Sequence, residues 1–172
     1  MKHVVLVGLM GSGKSTVGAL VAARTSRIFV DVDIVIARET GKTVRELWEQ
    51  GGEAAYRKLE SDAVLRVLAG DTPSVLAAPG GVVLDPTVRA ALADHFVVWL
   101  RTRPTTLAGR VHVGDHRPLL GDKPADVLTV MADERSDLYR QVATATLDTD
   151  DRAPDAVAEA VVGLLADQPA DA

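Results

Sequence analysis

The chain has no cysteine among its 172 residues. Disulfides and thiolate chemistry are thereby excluded, and the composition suits a reducing compartment. Aromatic residues make up only 3%, so the core must be assembled from Val, Leu and Ala. No apolar stretch approaches the ~20 residues that a membrane span needs. The early apolar run is interrupted from Gly8 to Ser15, unlike a secretory signal. A cytoplasmic location with no membrane partner is expected. Basic charge is also short: the net charge is −5, which lacks the footprint of a nucleic-acid binder. Arginine clusters here are therefore local devices rather than a general field. The four His are scattered without metal-ligand spacing and read as surface or core residues.

What is present has the pattern of an α/β protein. The length and the 47% hydrophobic content suit one domain over residues 1–172. Its polar tail, about 167–172, is expected to fray. Strand-like runs are expected at Val4–Val7, Ile28–Asp31, Ser74–Ala78, Phe96–Leu100 and Ala143–Leu147. Helical patterns lie between them. Thr43-Val44-Arg45-Glu46 has the form of a capping box opening a helix to about Gln50. Gly51-Gly52 breaks it, and Glu53 to Ala69 continues as a longer helix. Asp85-Pro86 opens a short helix to Ala93; Lys123–Val142 and Pro154–Ala166 complete the set. Alternating strands and helices imply a five-stranded parallel sheet flanked by helices, with ligands outside the carboxyl ends of the strands.

The first run leads into Gly8-Leu9-Met10-Gly11-Ser12-Gly13-Lys14-Ser15-Thr16. A strand followed by G-x-x-x-x-G-K-S is a P-loop, the mark of the P-loop NTP hydrolase fold. Backbone N–H groups of Gly11, Ser12, Gly13, Lys14, Ser15 and Thr16 can cradle phosphates. Lys14 adds charge over the β- and γ-phosphates, Ser15 suits Mg²⁺, and the helix that follows presents its positive end to the same anion.

Other residues are chemically suggestive and individually ambiguous. Asp31 and Asp33 end the second strand, where period-2 alternation puts both on one face. They read either as a metal ligand and an acceptor-orienting base, or as solvated acids with Asp33 capping a helix. Arg57 and Glu60 are helical neighbours, either an ordinary surface pair or an arginine oriented to receive a carboxylate. Arg135 is equally open. Residues 109–124 lack a regular pattern and suit a lid. Within it Arg117 could reach a transferring phosphate. Pro79-Gly80-Gly81 reads as a plain turn or as a place where a ligand approaches the backbone.

Taken together, these motifs resemble the shikimate kinase family over nearly the whole chain. Asp31-Val32-Asp33 is similar to the family's D-x-D, which implies Asp31 for Mg²⁺ and Asp33 for the shikimate hydroxyls. Tyr56-Arg57-Lys58-Leu59-Glu60 is similar to F-R-x-x-E, implying Arg57 on the shikimate carboxylate. Arg117-Pro118-Leu119-Leu120 matches the lid motif. Arg135 through Tyr139 resembles R-x-x-L-Y, implying Arg135 as a second carboxylate anchor. The resemblance also implies that Arg110 stacks on adenine, and that Arg152 and Pro154 belong to an adenine loop. The expected partners are ATP and a small anionic hydroxylated substrate, shikimate, with Mg²⁺, on a monomer. The catalytic set is Lys14, Asp33 and Arg117; Gly80 and Gly81 join Asp33, Arg57 and Arg135 around the acceptor. The chain departs from the family at Pro79, where G-G-G is usual, and at Trp48 and Tyr56, where phenylalanine is usual. These departures motivate one alternative, a related kinase for another small hydroxy acid such as gluconate; a nucleotide-binding switch without turnover is the other.

Overall fold

The computed structural model describes residues 3–110 and 123–168. Arg117, most of the expected lid and residues 169–172 of the expected tail lie outside the described residues. Five parallel strands form one sheet in the order β2-β3-β1-β4-β5. They are β1 (Val4–Val7), β2 (Ile28–Asp31), β3 (Ser74–Ala77), β4 (Phe96–Arg101) and β5 (Ala145–Asp148). Val4 of β1 pairs with Val75 on one side and with Phe96 on the other. The central strands are fully buried, as their unbroken Val/Leu runs require of strands covered on both faces.

Seven helices flank the sheet among the described residues: α1 (Lys14–Thr25), α2 (Val32–Thr40), α3 (Val44–Leu68), α4 (Pro86–Leu92), α5 (Pro104–Arg110), α6 (Pro124–Val142) and α7 (Pro154–Ala166). One core cluster packs Val17 and Val21 of α1 and Val157 and Val161 of α7 on Leu6 and Val98. The other packs Ile36, Val64, Leu107, Leu128 and Tyr139 on Val5, Leu76 and Trp99. His3 is buried at the amino end of the sheet, bonded to Ser74 Oγ at 2.8 Å and Gly70 O at 3.0 Å. That is the core role. No helix among the described residues is long and apolar enough to cross a membrane.

The structure corrects several boundaries. Asp31 and Asp33 do not share a strand face, because the strand stops at Asp31 and helix α2 starts at Val32. Asp31, not Asp33, is the cap: its Oδ1 accepts from Asp33 N at 3.1 Å. Helices α2 and α5 lie where the periodicity shows no helix. The break at Gly51-Gly52 is a kink in one element rather than a gap, with Gly52 at φ 72 and ψ −179. The capping box is present: Glu46 N donates to Thr43 Oγ1 at 3.2 Å and Thr43 N donates to Glu46 Oε2 at 2.7 Å. Strand β4 runs one residue further than expected, to Arg101. The last strand starts at Ala145, not Ala143. Ala143 still closes α6 by donating to Tyr139 O at 3.0 Å, and Thr144 spends its N–H on Val97 O at 2.8 Å.

Candidate active site

Every strand of the sheet delivers a loop or helix start to its carboxyl edge. After β1 the P-loop curls into α1, with Gly13 as N-cap and no acidic residue in the first turn. That end of the helix is electropositive and unopposed by its own side chains. Lys14 Nζ donates to Gly8 O and Leu9 O, both at 2.9 Å, which folds the ammonium back over the loop.

A cavity of about 410 Å³ opens beside this loop, within the usual range of ligand sites. Gly11, Gly13, Lys14, Ser15 and Thr16 line it from the P-loop, and Asp31 and Asp33 from the β2–α2 junction. Arg57, Glu60, Trp48 and Tyr56 enter from α3, Pro79 to Gly81 from the β3 loop, Arg110 from α5 and Arg135 from α6. The expected phosphate and acceptor residues therefore share one space. Ser12 does not line it; it borders a neighbouring cavity of about 230 Å³, and its hydroxyl is buried without a hydrogen-bond partner. Arg152 and Pro154 do not line it either. They sit in the loop after β5 and at the start of α7, where Arg152 Nη2 donates to Ala156 O at 3.3 Å. Arg110 connects the two regions, its Nη2 donating to Thr149 O of that loop at 3.0 Å.

The acceptor end is built around two arginines. Arg57 Nη1 donates to Glu60 Oε2 at 2.7 Å, and Glu53 lies 3.5 Å from its Nε. Burial works against the Arg57 charge, but Glu60 and Glu53 offset it, and its pKa lies above the usual arginine value. Burial pushes Glu60 up to about 7, against the lowering pull of Arg57. The charge of Asp33 is felt by both Glu60 and Tyr56, which places it in the same electrostatic neighbourhood. The Arg57 guanidinium also lies 5.8 Å from the Trp48 ring centroid, within cation–π reach. Arg135 is 5% exposed, and its Nη1 reaches Gly80 O at only 3.4 Å. The buried Nε atoms of both arginines have no hydrogen-bond partner. Two under-satisfied guanidinium groups facing one cavity suit an anionic ligand.

The glycines after β3 are set apart by crowding rather than by backbone angle. A Cβ at Gly81 would stand 2.3 Å from Arg57 Nη1, and one at Gly80 would stand 3.0 Å from Gly8 O. Neither glycine is among the positive-φ residues. The Pro79 carbonyl accepts from Val82 N at 3.2 Å, opening a single 3₁₀ turn. The cavity also holds Ser15 and Asp31, a hydroxyl and a carboxylate, the hard oxygen donors that Mg²⁺ prefers.

Sequence reasoning singled out most of these residues but not the contact of Tyr139, whose hydroxyl donates to Gly80 O at 2.6 Å. Its position four residues after Arg135 on one helix face was the available signal.

Comparison with known proteins converges on one family. The family model for shikimate kinase matches residues 10–166. A shikimate kinase of Salinispora arenicola is 43% identical over 162 residues, covering 94% of this chain and 96% of the relative. That of Streptomyces avermitilis is 41% identical over 163 residues, covering 95% of each. The structure of shikimate kinase from Acinetobacter baumannii in complex with shikimate superposes with a TM-score of 0.94 at 31% identity, covering 99% of this chain and 96% of that one. A gluconokinase from Sinorhizobium meliloti, at 20% identity and a TM-score of 0.68, shares the fold.

Proposed function

This chain belongs to the shikimate kinase family, and we propose that it transfers the γ-phosphoryl group of ATP to a ring hydroxyl of shikimate, giving the 3-phosphate. The observation that supports this reading is a single cavity holding the P-loop at one part of its wall and the arginines Arg57 and Arg135 at another. A triphosphate and a small carboxylate can then meet without crossing solvent.

The residues divide the work. P-loop N–H groups and Lys14 bind the phosphates, with Lys14 Nζ exchanging its two carbonyl partners for phosphate oxygens. Ser15 and Asp31 would hold Mg²⁺, which neutralises charge on the phosphates when bound. Asp33 orients the acceptor hydroxyl and takes its proton as the oxygen attacks phosphorus. Arg57, held by Glu60, and Arg135 clamp the carboxylate, while Gly80 and Gly81 admit the ring close to the backbone. Arg117 would stabilise the transferring phosphoryl, and Arg110 with the Arg152–Pro154 loop flanks the adenine. The same reading takes the chain as one cytoplasmic, monomeric domain.

An acceptor panel tests the assignment. ADP release should depend on added shikimate and remain near background with gluconate. Release that gluconate supports better, or that needs no acceptor, would refute it.

A further inference from the structure

Helix α6 sends two side chains to one backbone oxygen. Arg135 and Tyr139 are one turn apart and on one face. The Tyr139 hydroxyl donates to Gly80 O at 2.6 Å, while Arg135 Nη1 reaches the same oxygen at 3.4 Å. The first is a short, well-formed bond; the second is at the limit of being one. Tyr139 is 1% exposed, and its ring stacks on Trp99 with centroids 5.6 Å apart and planes 27° from parallel. The hydroxyl thus has little freedom to leave. Burial raises its pKa, which keeps the phenol a donor.

The Gly80 carbonyl is a strong acceptor in a crowded place. A Cβ on Gly80 would lie 3.0 Å from Gly8 O and 3.4 Å from the Tyr139 hydroxyl. Gly80 lines the cavity, and the donors brought to its carbonyl are the Tyr139 hydroxyl and Arg135 Nη1. With Tyr139 bonded to the carbonyl, the Arg135 guanidinium has one long bond to that oxygen, an interaction with the Tyr139 hydroxyl itself, and a buried, unpartnered Nε. It is left available to an incoming anion. Without the hydroxyl, the nearest remaining donor to Gly80 O is Arg135 itself, and a proper bond would draw the guanidinium toward the loop.

We propose that Tyr139 is a positioning residue: by holding the Gly80 carbonyl it keeps Arg135 free to bind the carboxylate of the acceptor. This inference rests on the acceptor-clamp reading above. It adds that the availability of Arg135 is maintained by a group that never touches substrate.

The test is Tyr139→Phe, which keeps the ring and its stacking on Trp99. The expected result is a rise of about tenfold in KM for shikimate, the scale of one hydrogen bond to a charged group. KM for ATP and kcat should change by less than about twofold. In an Arg135→Lys background the same substitution should have almost no further effect on KM for shikimate. Equal rises in both KM values, or multiplicative effects in the double variant, would overturn the proposal.

A second measurement does not depend on turnover. In ¹⁵N-labelled protein the Arg135 Nε–H resonance should shift between wild type and Tyr139→Phe, and an unchanged resonance would overturn the proposal. If Tyr139→Phe fails to fold, a para-aniline ring introduced at position 139 restores a donor. It should then return both the fold and the wild-type KM; a folded aniline variant with the raised KM would count against the proposal. Failure of the wild type to use shikimate would instead overturn the functional assignment, while the resonance still reports on Tyr139.

Discussion

Substituting Gly81 by alanine should separate folding from binding at this site. Gly81 stands at φ −89 and ψ −13, ordinary angles for any residue. The substitution therefore introduces no backbone strain and removes some freedom from the unfolded chain. The new Cβ, however, would lie 2.3 Å from Arg57 Nη1, 2.7 Å from Cζ and 3.1 Å from Nε. Ordinary contact begins near 3.4 Å, so the guanidinium has to retreat by about 1 Å, a misplacement on the scale that costs ~100-fold in catalysis.

The retreat is inexpensive for stability, because the clashing atoms are the far end of a flexible side chain. It is costly for function, because the same atoms are pinned to Glu60 at 2.7 Å and would carry the acceptor carboxylate. The expected outcome for Gly81→Ala is a melting temperature within about 4 °C of wild type and a fall of ~100-fold in kcat/KM for shikimate, about 2.7 kcal/mol. KM for ATP should stay within about twofold. Steady-state ADP release and a thermal melt on one preparation suffice. A folded variant with wild-type kcat/KM for shikimate would refute the claim that Arg57, held at this spot, binds the acceptor.

Three further outcomes are expected. Asp33→Asn should lower kcat by roughly 10²–10⁴-fold with ATP affinity preserved by equilibrium titration; retained turnover would remove Asp33 from the mechanism. Glu60, raised to about 7 from an ordinary 4.5 by burial, binds its proton more tightly folded than unfolded. Its stabilising contribution is present below about pH 4.5 and is lost as pH rises through about 7. The stability of wild type relative to Glu60→Gln, measured by denaturant titration, should fall across that window and level off above it; a difference that is flat with pH would contradict this. Thr43→Ala removes the capping box of α3, neither residue of which lines the cavity, so it should lower the melting temperature by about 2–4 °C and leave kcat intact.

The parts of the fold readable in the chain are those that local chemistry decides. The Val4–Val7 and Ile28–Asp31 runs and the Thr43–Glu46 and Asp85–Pro86 helix starts stand where their own residues put them. Helix α2 was hidden because Asp31-Val32-Asp33 continues the alternation of a strand, while its actual end is set by the Asp31 carboxylate bonding Asp33 N. The start of β5 was hidden because Thr144 is claimed by Val97, 47 residues away. The site shows the same division. The Arg57–Glu60 pair follows from helical spacing, but the burial that sets its character depends on packing against distant elements. The need for glycine at position 81 depends on an arginine from another element, and the part played by Tyr139 depends on a carbonyl 59 residues away.

The account stands on one claim, that the P-loop and the arginine pair serve the same reaction. The most direct test is ³¹P NMR of the wild-type protein incubated with ATP, Mg²⁺ and shikimate. The account predicts a phosphomonoester signal, coupled to the ring proton at the 3-position, that grows in step with ADP. ADP accompanied by inorganic phosphate alone, or an ester at another ring position, would contradict it.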